Sequence, residues 1–167
     1  YTFTGWDTTI PTTMPAENVT INAQWQINSY KLTVVFDNGE AADTKEVVYG
    51  MAPEYELPTE LTKTGYSFKG WDGNVPTTMP ASDVTITALW TANNYIVTFD
   101  GNGHTSGSTQ EVIMTYDQTK ALSTNGYSRS GYAFSGWALT ADGSKVYDEK
   151  EEVINLTEGS SIRLYAV

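Results

Sequence analysis

The residues best suited to chemistry are few and dispersed. His104 is the single histidine, and it follows Asp100-Gly-Asn-Gly103, a glycine-rich stretch that reads as a turn. A Ser–His–Asp arrangement would have to recruit Ser106 or Ser108, and the Gly-x-Ser-x-Gly elbow that presents a serine nucleophile does not occur. Gly101-Asn-Gly103 lacks the Gly-Lys-Ser/Thr of a phosphate loop. Asp148, Glu149, Glu151 and Glu152 offer oxygen ligands of the kind calcium takes, but without Asp-x-Asp-x-Asp-Gly spacing. A solvated acidic face explains them more simply. Paired carboxylates acting in hydrolysis need a cleft and divergent pKa values, and no stretch marks a cleft. Cysteine is absent, which rules out disulfides and thiolate metal sites. The expectation is a protein that is not an enzyme and uses no cofactor or metal.

Aromatic residues are the other candidates. Five tryptophans and eleven tyrosines could stack on sugar rings. However, Trp6, Trp71 and Trp137 hold one position of a repeat, and Trp25 and Trp90 another. Aromatics at fixed phase beside alternating β-branched residues are core residues first. Tyr55, Tyr127 and Tyr147 fall outside that set and are the candidates for surface contacts.

The elements that must position these residues follow from the repeat. Tyr1–Trp25 recurs as Tyr66–Trp90 at a constant spacing of 65 residues, and from tryptophan to tryptophan 13 of 20 positions are identical. A third YAFSGW stands at Tyr132–Trp137. The chain therefore reads as a partial repeat with only the C-terminal half (1–28), a first complete repeat (29–92), and a second complete repeat with a divergent C-terminal half (93–167). Units this small bury modest cores, so neighbours are expected to cooperate.

Within each full repeat, period-two alternation predicts the strands. Tyr30, Leu32, Val34 and Phe36 mark an opening strand, and Tyr95, Val97 and Phe99 mark its counterpart. Val47 and Tyr49, then Val112, Met114 and Tyr116, mark return strands. Tyr66 and Phe68 begin a third strand, and Val84, Ile86, Ala88 and Trp90 a closing one. Val19, Ile21, Ala23 and Trp25 predict the same closing strand in the half repeat. Each GW tryptophan breaks the alternation before it, which predicts a bulge at Gly5 and Gly70 that turns the indole toward the core. Pro53 and Pro58 limit the crossover at 50–64 to a short helical or irregular piece, with a turn or two opening at Pro58. Asp117 predicts a cap for a short helix through Leu122. The third copy lacks the Thr-Thr-Met-Pro loop and is rebuilt over 138–160. Ile162, Leu164 and Ala166 then form its closing strand, after which the pattern calls for tryptophan. Because the chain starts inside a repeat, it is expected to be part of a longer polypeptide.

Net charge is −11, with nine Lys and Arg and no basic run. Nucleic acid and anionic lipid surfaces are poor partners for such a chain. No continuous apolar stretch is long enough to insert in a membrane.

The segments Tyr95–Phe99 (YxVTF), Thr64–Trp71 (TGYxFxGW) and Val84–Trp90 (VTIxAxW) together resemble the InlB B-repeat, or Listeria–Bacteroides repeat, family. The third copy's GWALTADGSKVYDEKEEV…LYAV is similar to another common ending of that family. The resemblance implies a mainly β (α+β) fold: tandem, small β-grasp-like modules, each a roughly four-stranded sheet with one short helical or irregular crossover. It also implies an extracellular place, on a bacterial cell surface or secreted, as a spacer or stalk without catalytic residues. The alternative role is an adhesin-type binding module for a host protein or glycan, with contacts on 138–160 or an exposed strand edge. Expected partners are neighbouring repeats, joined through short linkers at Gln26–Ser29 and Thr91–Asn94. Trp71 and Met79 are expected to help close the core of the middle repeat. The two-stranded half repeat is expected to need a cover over its apolar face.

Overall fold

The computed structural model describes residues 1–167. Fourteen strands follow in order: β1 Thr2–Trp6, β2 Ala23–Gln26, β3 Ser29–Val35, β4 Asp43–Val48, β5 Tyr66–Trp71, β6 Val84–Ala92 and β7 Asn94–Asp100. The rest are β8 Ser106–Gly107, β9 Val112–Thr115, β10 Lys120–Ala121, β11 Tyr127–Ser128, β12 Trp137–Ala138, β13 Glu152–Val153 and β14 Ser161–Ala166. Two four-stranded sheets dominate, β4-β3-β6-β5 and β12-β14-β7-β9. In each, the opening strand is central. It pairs antiparallel with its return strand (β3 with β4, β7 with β9) and parallel with the closing strand (β3 with β6, β7 with β14).

By contacts the chain forms two compact units, Tyr1–Leu61 with Gly70–Leu89, and Thr62–Lys69 with Trp90–Val167. The first unit buries Leu32, Val34, Phe36, Val47, Met79 and Ile86. The parallel register sets Leu32 beside Val84 and Val34 beside Ile86, so both strands' apolar residues face one side. In the second unit Tyr95, Val97 and Phe99 play the opening-strand role, with Met114, Leu122, Val153 and Leu164 around Trp137.

One expectation is corrected. The fold is all β, with strands, turns and extended segments and no helix, so the α+β class with a helical crossover does not hold. The crossover at 50–64 is irregular. Pro53 and Pro58 withdraw backbone donors, and Glu54 has φ +49°, outside the helical region. A helical turn of that length would not offset its nucleation cost. Extended backbone instead lays Tyr55, Leu57 and Leu61 against the core. Asp117 caps no helix either: its φ is +59°, and β10 occupies Lys120–Ala121.

The bulge expected at Gly5 is present. Between Phe3↔Trp25 and Gly5↔Gln24 the ladder gains a residue on β1, and Gly5 has φ +137°. The tryptophans that follow such glycines have three different fates. Trp137 is fully buried at 0% exposure, Trp71 is half-buried against Phe36, and Trp6 is 53% exposed. Met14 is 80% exposed where Met79, its repeat counterpart, is 1%. Val19–Asn22 forms no strand, whereas Val84–Thr87 is held by parallel pairing to Leu32–Val35. β2 begins only at Ala23, where β1 supplies a partner. Phe3 packs edge-on to both Trp6 and Trp25, leaving that aromatic cluster at the surface.

Trp71 also donates its indole N–H to the Pro58 carbonyl at 3.0 Å, while the Trp137 indole N–H is buried without an acceptor. These differences set a graded outcome. Trp137→Ala should cost about 3–5 kcal/mol, a large share of the stability of a small domain. Trp71→Ala should cost less, because part of its ring is already solvated. Trp137→Phe keeps most of the buried ring and removes the orphan donor, so it should be milder than Trp137→Ala. Thermal melts of the three variants check this ranking. Equal melting temperatures for Trp137→Ala and wild type would refute the core assignment.

Candidate functional site

Recurring polar residues hold the strand ends. Asp7 and Asp72 both follow a GW tryptophan. Asp72 accepts the Thr87 N–H at 2.7 Å and donates its own N–H to the Thr87 carbonyl at 3.0 Å. Asp7 does the same with Asn22: its Oδ1 accepts the backbone N–H at 3.0 Å and its Oδ2 the side-chain amide at 2.7 Å. These bonds, the Asn22 side-chain amide first, hold the Asp7 carboxyl below its usual value. The sequence reading passed over this pair, although a fixed aspartate after each of the first two GW tryptophans was the signal. In the third copy Ala138 stands there, and it is buried.

A second recurring set surrounds the tyrosines that open β1 and β5. Tyr1 meets Tyr49 edge-on at 6.4 Å, and Thr2 Oγ1 donates to Asn28 Oδ1 at 2.7 Å. Tyr66 meets Tyr116 edge-on at 5.7 Å, and Ser67 Oγ donates to Asn93 Oδ1 at 2.6 Å. The Tyr49 N–H donates to the Asn28 carbonyl, and the Tyr116 N–H to that of Asn93, each at 2.9 Å. Tyr66 further donates its hydroxyl to Asp117 Oδ2 at 2.7 Å. That bond, then Asn155, then the Lys63 charge, lowers the Asp117 pKa.

A cleft of about 290 Å³ in the second unit is lined among others by Asn102, His104, Tyr127, Arg129, Tyr132 and Phe134. The Arg129 guanidinium lies 4.2 Å from the Tyr132 ring centroid, and Tyr132 is 69% exposed. His104 leans on the Tyr127 ring at 4.6 Å. Asn102 is fixed by amide donation to the Ala141 and Ala166 carbonyls. An aromatic face, a cation and side-chain amides could hold a sugar ring or an aromatic side chain.

The three tyrosines singled out from the sequence lie apart. Tyr55 is half-buried on the first core and donates to Asp43 Oδ2 at 2.6 Å. Burial, then the bond to Asp43 and its charge, push its pKa up to about 12. Tyr127 borders the cleft and donates its hydroxyl to the Phe99 carbonyl at 2.8 Å. Tyr147 is half-buried on the second core, and its backbone N–H donates to the Trp137 carbonyl. The acidic run is tied into its own turn. Lys145 pairs with Asp148 at 2.6 Å, Glu151 accepts the Asp148 N–H, and Glu149 accepts the Asn125 N–H. No group of three or more His, Asp or Glu side chains is placed to hold a metal ion.

A family profile described as the Listeria-Bacteroides repeat domain matches residues 32–89 and 95–167. The chain is 38% identical over 112 residues to Internalin H of Listeria monocytogenes, covering 56% of this chain and 20% of that protein. It is 33% identical over 122 residues to a protein of Evansella cellulosilytica that carries the name of a Gly-rich membrane protein, covering 62% of this chain and 14% of that one. The chain thus spans a fifth or less of these curated relatives. No solved structure gives a significant match.

The Asp7 and Asp117 shifts carry a pH dependence. A carboxyl whose folded pKa is depressed contributes stability that is fully present above its unfolded value, here 3.8, and that fades as pH falls through the folded value. The Asp7–Asn22 contact beside the β1–β2 pair should therefore loosen in acid, and Asp7→Asn should remove that dependence. Amide chemical shifts of Asn22 followed from roughly pH 6 to 2 check it. A flat Asn22 profile in the wild-type chain would refute the role given to Asp7.

Proposed function

The chain belongs to the Listeria-Bacteroides repeat domain family, and from that premise we propose that this non-enzymatic repeat module serves as a spacer, or stalk, of an extracellular protein, at the bacterial surface or secreted. One observation carries the reading. The residues that recur at fixed phase are spent on the chain's own strands: Asp7 and Asp72 on the closing strand, Tyr1 and Tyr66 on Tyr49 and Tyr116, Thr2 and Ser67 on Asn28 and Asn93. A module repeated in order to bind would be expected to repeat its contact residues instead. The membrane-protein name of the Evansella relative supports a surface-held array. No helix here is long and apolar enough to cross a membrane.

A second reading, an adhesin-type module for a host protein or glycan, is favoured by the cleft beside Arg129 and Tyr132. The two readings separate in one experiment. The chain is screened on a glycan array and against host extracellular matrix proteins, beside Tyr132→Ala. The spacer reading expects no specific ligand and no difference between the two proteins. A ligand held by the wild type and lost with Tyr132→Ala would replace it with the adhesin reading. Small-angle scattering on chains with added repeats gives the complementary check. A spacer should lengthen by a constant increment per repeat, and a maximum dimension that stays constant would count against it.

A further inference from the structure

We infer that the Gly131–Phe134 surface is a docking site for the start of another repeat of this same kind, capped by the tyrosine that directly follows that repeat's return strand. The inference deepens the spacer reading and rests on it.

The local structure at Arg129-Ser-Gly-Tyr132 duplicates that at Lys63-Thr-Gly-Tyr66. The Tyr66 N–H donates to the Lys63 carbonyl at 3.0 Å, and the Tyr132 N–H to the Arg129 carbonyl at 3.1 Å. The intervening glycines have φ +76° and +80°, the left-handed conformation that favours glycine. A cation lies over each tyrosine: Lys63 Nζ at 4.8 Å from the Tyr66 centroid, and the Arg129 guanidinium at 4.2 Å from Tyr132. Two independent turns thus present a tyrosine in the same way.

What covers them differs. Tyr116 packs so closely over the first turn that a Cβ on Gly65 would clash with its ring. The Asn93 N–H donates to the Gly65 carbonyl at 2.8 Å. Trp90 fills the adjoining space, 5.5 Å from the Phe68 ring and 5.7 Å from Lys63 Nζ. Around Gly131, by contrast, nothing lies within 4 Å of a Cβ, and Tyr132 is 69% exposed. The cleft borders Arg129 and Phe134, the counterparts of the Lys63 and Phe68 that Trp90 adjoins.

The occupant follows from the covered copy at Tyr66 and from the contacts that its counterpart repeats. Tyr49 meets Tyr1 edge-on as Tyr116 meets Tyr66, although Tyr1 stays 68% exposed, and Asn28 receives Thr2 as Asn93 receives Ser67. The same tryptophan, asparagine and return-strand tyrosine recur as Trp25, Asn28 and Tyr49 and as Trp90, Asn93 and Tyr116. A segment with that trio matches the open turn at Gly131 in both shape and chemistry. Ala133 replaces the hydroxyl of Thr2 and Ser67, so one hydrogen bond of the set is missing there. A glycan would use only the cleft and would leave the face of Gly131 uncovered.

The test extends the full chain after Val167 with a copy of Trp25–Ala92, which keeps the tryptophan-to-asparagine spacing of the earlier copies. Amide hydrogen exchange is then measured at Gly131, Tyr132 and Ala133. Docking should slow exchange there by about ten-fold or more. Changing the copied Tyr49→Ala should restore the fast rate while the copied opening strand stays protected. Unchanged exchange at Tyr132 beside a folded added repeat would overturn the inference, as would glycan binding in the cleft that survives the extension. The existing chain supplies a second test that needs no added repeat. Tyr116→Ala should speed exchange at Gly65–Ser67 and leave Val97 and Leu164 unaltered, and no change at Tyr66 would also overturn it. A ligand found on the array would end the spacer reading without touching the docking result. Loss of docking with no ligand found would leave a spacer with free joints.

Discussion

Parallel pairing between the first and last strands of each full repeat is the constraint on which the structure depends. Leu32–Val35 meets Val84–Thr87, and Ile96–Asp100 meets Ser161–Tyr165. These ladders close chain loops of about 50 residues or more, so the entropy of closure must be met by apolar burial behind the sheet. Leu32, Val34 and Ile86 supply it in one unit, Val97, Phe99 and Leu164 in the other. Residues 1–28 carry no such ladder. Their closing-strand sequence is nearly the same, yet Val19–Asn22 has no ladder and Met14 stands in solvent.

The second copy reaches the same closure by a different C-terminal half. Thr-Thr-Met-Pro is gone, and with it Met79's role as a plug. Leu122 and Val153, joined through the short β10–β13 pair, fill the corresponding space around Trp137. The cost is local. Trp137 is drawn fully inside, and its indole N–H loses the kind of carbonyl partner that Pro58 gives Trp71. Gly136 is required there, because a side chain would strike Lys145 and the Tyr147 carbonyl and its φ is +148°. Rebuilding 138–160 is therefore a change of packing strategy as much as a change of surface.

The repeat also explains how its polar residues are used. With eleven more formal negative charges than positive, the surface stays hydrated. The aspartates and asparagines at fixed phase are spent on backbone donors at strand ends and turns, as Asp72 with Thr87, Asp83 with Lys31, and Asp100 with Asn102 show. Edge strands remain, at β4 and β5 in one sheet and β9 and β12 in the other. Lys45 and Glu46 on β4 and Lys69 on β5 place charge along two of them, which discourages unintended strand addition.

By itself the sequence determined the repeat, the family, the alternating strands and the glycine bulge before Trp6. Each of these depends on a local period or on self-comparison, which survive in one dimension. It also pointed to Met79 as core, through the Thr-Thr-Met-Pro segment that returns the chain toward its closing strand. Only the tertiary structure decided which copies of a residue are buried, because burial depends on strands 50 residues away. Trp71 and Trp137 share a motif and differ in exposure, the one half-buried and the other fully buried. The helical crossover failed for a related reason. Asp117 and Pro58 are good helix openers in isolation, but Asp117 is claimed by Tyr66 and Asn155, and the Pro58 carbonyl by Trp71. Tyr66 and Tyr116 each repeat a residue of an earlier copy, but only three-dimensional proximity shows that they pack together.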